Sequence, residues 1–263
     1  MDLTEKLDVL RITDTSSDIV EDLVAKEFPL TIVFNNNELV TMLCSPLELK
    51  QLAVGFLASE GLIKSRDEIT RLVVNKKTGM AWVETREGLK ADGERIFKRF
   101  ISSGCGRGAS FYHVSDIEDK KPNESQINIQ AAGVLAMVKE FQHSSQTFRE
   151  TGGVHSAALY NNEKILAFAE DIGRHNAIDK IFGRCILEGM DTNEGIIITS
   201  GRISSEIVLK VAKRNIPILI SRSAPTNLGI KVAEDLGITL IGFVRGKRMN
   251  VYTHGWRVKA IET

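Results

Sequence analysis

The chain has 263 residues, 43% of them hydrophobic and 26% charged, and its 34 Lys+Arg balance 34 Asp+Glu. That makeup belongs to a soluble globular protein of roughly one to two domains, and with no net basic field it excludes a general nucleic-acid binder. No run of about 18 apolar residues is present to span a membrane, the first eight residues are polar and acidic with no signal-peptide core, and three widely spaced cysteines form no disulfide framework. A cytoplasmic location is therefore expected.

Residues 30–43 read as a hairpin, Leu30–Phe34 and Leu39–Leu43 around Asn35-Asn36-Asn37. A helix follows, with Ser45 and Glu48 as a capping box, Pro46 at its first position, and Leu49, Leu52, Ala53, Phe56 and Leu57 on one apolar face. Ile69–Asn75 and Met80–Glu84 read as strands. Cys44 and Cys185 lie in apolar surroundings and are expected to pack as small hydrophobes.

Cys105 is different. It lies in Ser102-Ser103-Gly104-Cys105-Gly106-Arg107-Gly108, with no apolar neighbour to bury it. Backbone N–H groups of a glycine turn, with Arg107 alongside, favour a thiolate, the form that attacks and carries sulfur. A flexible loop that happens to contain a cysteine is the other reading of this segment.

The polar stretch Ser115–Ser125 reads as a linker, dividing an N-terminal α+β domain (1–120) from a C-terminal domain (126–263). In the second half a helix over Ile129–Phe141 precedes strands at Ser156–Tyr160 and Lys164–Ala169. Helices at Ala177–Leu187, Ser204–Lys213 and Leu228–Leu236 then alternate with the apolar strands Ile196–Thr199, Ile216–Ile220 and Ile238–Val244. This alternation predicts an α/β domain with a mainly parallel sheet covered on both faces.

Polar clusters follow those strands, where open α/β sheets bind ligands. Ser200, Gly201 and Arg202 follow the first, Arg222 and Ser223 the second, and Phe243-Val244-Arg245-Gly246-Lys247-Arg248 ends the third. Hydroxyls, helix N-termini and arginines together suit phosphate, so a phosphorylated nucleotide or cofactor is expected. Helix caps plus solvated basic residues could account for any one of these clusters. His155 and the pair Arg174 and His175 each follow a glycine turn and join the candidate site. No Cys-x-x-Cys or other close Cys/His spacing marks a metal site.

In their order and spacing, several segments resemble the FdhD family. They are Thr151-Gly-Gly-Val-His155, Glu170-Asp-Ile-Gly-Arg-His-Asn-Ala177, Thr199-Ser-Gly-Arg-Ile-Ser-Ser-Glu206, Ser223-Ala-Pro-Thr226, Gly242-Phe-Val-Arg245 with Asn250-Val-Tyr-Thr253, and Phe28–Leu30 with Ser59–Ile63. The resemblance implies a sulfur carrier needed for formate dehydrogenase activity. A cysteine desulfurase would load a persulfide onto Cys105, and the sulfur would pass to molybdenum bis(molybdopterin guanine dinucleotide) before that cofactor enters the apo-formate dehydrogenase. It also implies a cytidine-deaminase-like three-layer C-terminal domain lacking the deaminase zinc ligands, with the guanine dinucleotide stretch on Phe243–Arg248 and a guanine nucleotide as surrogate ligand.

Many family members have a second loop cysteine where this chain has Gly108, so Cys105 would act alone. A homodimer is also expected, although no residue of the sequence marks its surface. Two rival readings remain: a non-catalytic chaperone that holds the guanine-containing cofactor, and a nucleotide hydrolase or deaminase built on His155, His175 and Glu170.

Overall fold

The computed structural model describes residues 2–86, 121–161 and 164–260; Cys105 and its loop lie outside the described residues. The described chain opens with a two-stranded antiparallel ribbon, β1 (Thr4–Ile12) and β2 (Ser17–Ala25), which joins no other described strand. Sequence patterning misses this element because both its faces are largely exposed, so no period-two alternation of apolar and polar residues develops.

The expected hairpin follows as β3 (Phe28–Phe34) and β4 (Asn37–Cys44). Asn35 and Asn36 turn it with φ of 46° and 66°, a left-handed pair that asparagine tolerates better than most residues. Helix α1 (Leu49–Ser59) and strands β5 (Ile69–Asn75) and β6 (Met80–Thr85) complete a four-stranded sheet of order β4-β3-β6-β5. Leu30, Ile32, Ala81 and Val83 from the sheet and Leu52, Ala53 and Leu57 from α1 form its core.

The expected capping box does not form. Glu48 precedes α1 in the left-handed region, with φ 56° and no side-chain cap. Ser45 is drawn away into a longer-range contact: its N–H donates to Asp171 Oδ2 at 3.0 Å, and its Oγ accepts from Ile172 N at 3.1 Å.

The second half begins with β7 (Ile129–Gln130), α2 (Ala131–Ser144) and the short α3 (Gln146–Thr151). Then come β8 (His155–Tyr160), β9 (Ile165–Asp171), α4 (Arg174–Glu188), β10 (Ile196–Thr199), α5 (Ser205–Lys213) and β11 (Ile218–Ser221). Helix α6 (Asn227–Asp235), β12 (Thr239–Arg245), β13 (Arg248–Val251) and β14 (Val258–Lys259) end the described chain.

The six-stranded sheet has the order β13-β12-β11-β10-β8-β9. Only β10, β11 and β12 run parallel, so the expected mainly parallel sheet is in fact mixed. The reason lies in the connections: β8–β9 and β12–β13 are tight hairpins, and a parallel pairing needs a crossover of a dozen residues or so.

Alternate residues of the central strands serve opposite faces. Ile197, Leu219 and Leu240 pack with Ile178, Ile181 and Phe182 of α4, Val208 of α5 and Val232 of α6. Ile196, Ile198, Ile218, Ile220 and Ile241 pack under Val134, Val138 and Phe141 of α2. Three layers result, a mixed α/β architecture.

The described end of the expected linker is tied down. Buried Arg257 donates to Asn123 O, Ser125 O and Gly237 O at 3.1, 3.0 and 2.8 Å. A guanidinium taken out of water needs such partners.

The two halves meet where α1 crosses α4. A Cβ on Gly55 would stand 1.7 Å from Asp179 O, and one on Gly183 1.8 Å from Gln51 O, so only glycine permits this approach. We expect Gly55→Ala and Gly183→Ala each to destabilise the protein by about 3 kcal/mol or more, because backbone must move on both sides. Gly133→Ala, in α2 with its nearest atom 3.8 Å away, should instead stabilise by about 0.5–1 kcal/mol. Urea unfolding midpoints of the three variants check this.

Candidate functional site

A cleft of about 520 Å³ opens at the carboxyl ends of the parallel strands. His155 at the start of β8, Ser200 after β10, Arg222 and Ser223 after β11, and Arg245 at the end of β12 all line it. Five residues singled out in sequence, separated by up to ninety positions, thus share one wall. The sheet achieves this because β8 runs antiparallel to β10 and so begins where the parallel strands end.

A bulge aims Arg245. The β12–β13 register shifts between Gly242 and Arg245, and Phe243 takes φ 52°, a left-handed conformation unusual for a bulky side chain. Phe243 N donates to Ser223 O at 3.1 Å, Arg245 Nε donates to Arg222 O at 3.2 Å, and the Arg245 guanidinium lies 5.5 Å from the Phe243 ring centroid. The Gln142 amide, turned with its oxygen toward Arg222, accepts from that guanidinium.

Among the described residues neither Arg222 nor Arg245 pairs with a carboxylate. Burial, then the charge of Arg245, pushes the Arg222 pKa down. Two like charges gathered with no described carboxylate beside them suit an anion.

His155 Nδ1 lies 3.3 Å from Ser200 Oγ, which also accepts from Ser156 N at 3.0 Å. Burial, then the charge of Arg174, lowers the His155 pKa, so its imidazole is neutral near pH 7. Further parts of the wall come from residues that sequence reasoning missed: the apolar Phe141 of α2, Phe148 of α3 and Ile172, and the amide of Gln142. Ser145 capping Phe148 N at 3.3 Å is the local signal that could have revealed α3. Glu170 anchors α3 from below, accepting from Ser145 Oγ and, at 2.9 Å, from Thr147 Oγ1.

The other expected site residues lie outside this wall. Val244 is 1% exposed in the core under α2, and Gly201 packs on Arg174, where a Cβ would stand 2.9 Å from Arg174 Cβ. Arg202 is exposed, and Gly246, Lys247 and Arg248 form the exposed tip of the β12–β13 hairpin. Arg174 and His175 occupy the first turn of α4, which starts three residues earlier than its sequence pattern suggests. His175 is buried, with Nε2 3.5 Å from Glu206 Oε2. Burial, then Lys210, Arg174 and His155, push its pKa down to about 3, so the pair is not an ion pair at neutral pH.

Cys44 and Cys185 are 0% and 1% exposed. Burial raises their thiol pKa values to about 12 and about 11. Both are locked as thiols, as expected for packed cysteines.

The His175 shift has a pH consequence. The folded pKa lies below the ordinary value of 6.5, so on acidification the unfolded chain takes up the proton first. The associated stability is complete above about pH 6.5 and drains away as pH falls toward 3. In urea titrations across this window, His175→Gln should reduce the slope of stability against pH by up to about 1.4 kcal/mol per unit. An unchanged slope would show that His175 ionises freely in the fold.

A model of the FdhD/NarQ family matches residues 25–259. The chain is 46% identical over 257 residues to the sulfur carrier protein FdhD of Bacillus subtilis (strain 168), with 98% of both chains covered. It is 46% identical over 237 residues to the protein of the same name from Bacillus pumilus (strain SAFR-032), covering 90% of each. Its fold is similar to the crystal structure of a candidate formate dehydrogenase accessory protein from Desulfotalea psychrophila, with a TM-score of 0.81, 28% identity, and 98% and 100% of the two chains covered. On this agreement from one end of the fold to the other, the chain belongs to the FdhD/NarQ family.

Proposed function

We propose that this protein is a sulfur carrier for formate dehydrogenase maturation, taking sulfur from a cysteine desulfurase as a persulfide on Cys105. The cargo's acceptor is molybdenum bis(molybdopterin guanine dinucleotide), bound as substrate before it enters the apo-dehydrogenase. In this reading residues 1–120 carry the reactive loop and residues 126–263 form the cofactor-binding domain, a cytidine-deaminase-like layering. The names of the curated relatives support its sulfur-carrier part.

The observation that carries the reading is the cleft: Arg222 and Arg245 stand there with no carboxylate partner among the described residues, beside Ser200, Ser223 and neutral His155. Diphosphate oxygens suit the two guanidinium groups, and hydroxyl and imidazole donors suit the remaining oxygens. Phe148, 48% exposed on the cleft wall, offers an apolar face to a planar ring.

Chemistry points to Cys105 by elimination. The buried Cys44 and Cys185 cannot reach a partner's persulfide, nor ionise near neutral pH. In the loading step the Cys105 thiolate attacks the outer sulfur of the donor persulfide. A new S–S bond forms, the donor cysteine leaves as a thiolate, and Cys105 keeps the terminal sulfur. No external oxidant is needed.

Intact-mass spectrometry after incubation with a cysteine desulfurase and cysteine should show one added sulfur, removed by reductant and absent in Cys105→Ser. Sulfur retained by Cys105→Ser would overturn the persulfide role. No sulfur on either protein, with guanosine diphosphate still bound, would favour the cofactor-holding chaperone instead. In calorimetric titration with guanosine diphosphate, Arg222→Ala or Arg245→Ala should weaken binding by about tenfold to a hundredfold, the worth of one charge-assisted hydrogen bond. Binding that survives both substitutions together would place the nucleotide elsewhere.

A further inference from the structure

Arg222 leaves the end of β11 between two tied residues. Ser221 Oγ donates to Gly201 O at 2.7 Å and accepts from Ser223 N at 2.9 Å, while Arg222 O accepts from Arg245 Nε at 3.2 Å. The backbone is thus fixed, but the long arginine side chain is not, and holding it in one rotamer costs entropy. An amide from another element settles it. The Gln142 oxygen accepts from Arg222 Nη2 at 3.0 Å and Nη1 at 3.2 Å, and Nε also donates to it.

Gln142 is itself firmly placed. It stands in the last turn of α2, between Phe141 and Ser145. Phe141 is buried, with its ring edge-on to Phe168 at a centroid distance of 5.9 Å. Ser145 is buried too, and its Oγ donates to Glu170. The amide therefore meets Arg222 from a helix end pinned on both sides, and both partners are half-buried.

The chemical identity of this partner matters. A half-buried guanidinium commonly takes a carboxylate, in a two-pronged charge-assisted pair. Glutamine has the size and shape of glutamate without its charge. The two lone pairs of its oxygen cannot consume all five N–H donors of an arginine. An anion entering the cleft therefore meets a guanidinium that is already oriented and still carries its charge. Arg245 is held in the same manner: its Nε donates to a backbone carbonyl, and its guanidinium lies over the Phe243 ring. Neutral groups orient both cations.

We propose that Gln142 is a positioning residue for the cofactor's diphosphate, orienting Arg222 in the cleft without neutralising it. The inference rests on the reading that this cleft takes the guanine-containing cofactor, and it adds to that reading a residue that acts through Arg222.

Calorimetric titration with guanosine diphosphate and thermal melting, on the same full-length variants, test it. Gln142→Met keeps the bulk but removes the acceptor, and should weaken binding by about threefold to tenfold. In an Arg222→Ala background the same substitution should have no further effect, because its action passes through Arg222. Gln142→Glu gives Arg222 a carboxylate. It should melt no lower than wild type yet bind about tenfold to a hundredfold more weakly, since the anion must compete for a charge already paired. A merely structural glutamine would instead let binding follow stability. The inference is overturned by a Gln142→Glu protein that binds as well as wild type, or one whose binding and melting fall together. A Gln142→Met loss that persists without Arg222 also overturns it, marking direct contact with the nucleotide. Weaker binding by Arg222→Ala alongside indifferent Gln142 variants sinks this inference alone. If wild type does not bind, or Arg222→Ala binds equally well, the reading of the cleft falls and the inference falls with it.

Discussion

The crossing of α1 over α4 is the constraint on which the rest of the molecule depends. Two glycines bring the helix backbones into contact, and polar groups lock the crossing on either side. Ser59 Oγ donates to Asp179 Oδ1 at 2.6 Å, Lys210 pairs with the same carboxylate, and Glu48 pairs with Arg184. Beside this crossing lies a second, buried lock. Lys180 Nζ is 2.7 Å from Asp171 Oδ2, and Asn176 Nδ2 bridges Asp171 Oδ1 and Leu43 O at 2.9 Å each. A buried ion stripped of its partner costs about 3–5 kcal/mol, so this pair specifies one docking of the halves rather than adding net stability.

That lock reaches the cleft. Asp171 is the strand partner of His155, so the network that joins the halves also fixes the strand from which His155 enters the site. The cleft is accordingly built on rigid elements, with its walls at strand ends and its one strained residue, Phe243, in a bulge held by Ser223 and Pro225. A left-handed phenylalanine costs about 1–3 kcal/mol and persists only where its surroundings over-determine it. Here the strain redirects Arg245 toward Arg222.

Much of this was legible along the chain. Strands β5, β6 and β10 and the helices around them follow from apolar periodicity, which burial on the sheet faces imposes directly. The three strand-end clusters could be read because a parallel strand must deliver its carboxyl end to one side of the sheet. What could not be read depended on partners far away in sequence. Ser45 looked like a cap, yet Asp171, 126 residues on, outbids the local turn for its hydrogen bonds. The β1–β2 ribbon was invisible because periodicity reports burial, and the ribbon has little.

The sequence by itself determined the family, the alternation of elements in the second half, the packing of Cys44 and Cys185, and five of the residues that line the cleft. These are local properties: side-chain period, turn chemistry and motif spacing. Tertiary structure alone decided which members of a basic motif share a site. Arg222 and Arg245 converge on the cleft while Lys247 and Arg248, two and three positions after Arg245, turn away at a hairpin tip. The physical reason is the bulge at Phe243 and the tight turn after it. They reverse the chain within a few residues, and strand pairing, which no local pattern encodes, sets where they fall.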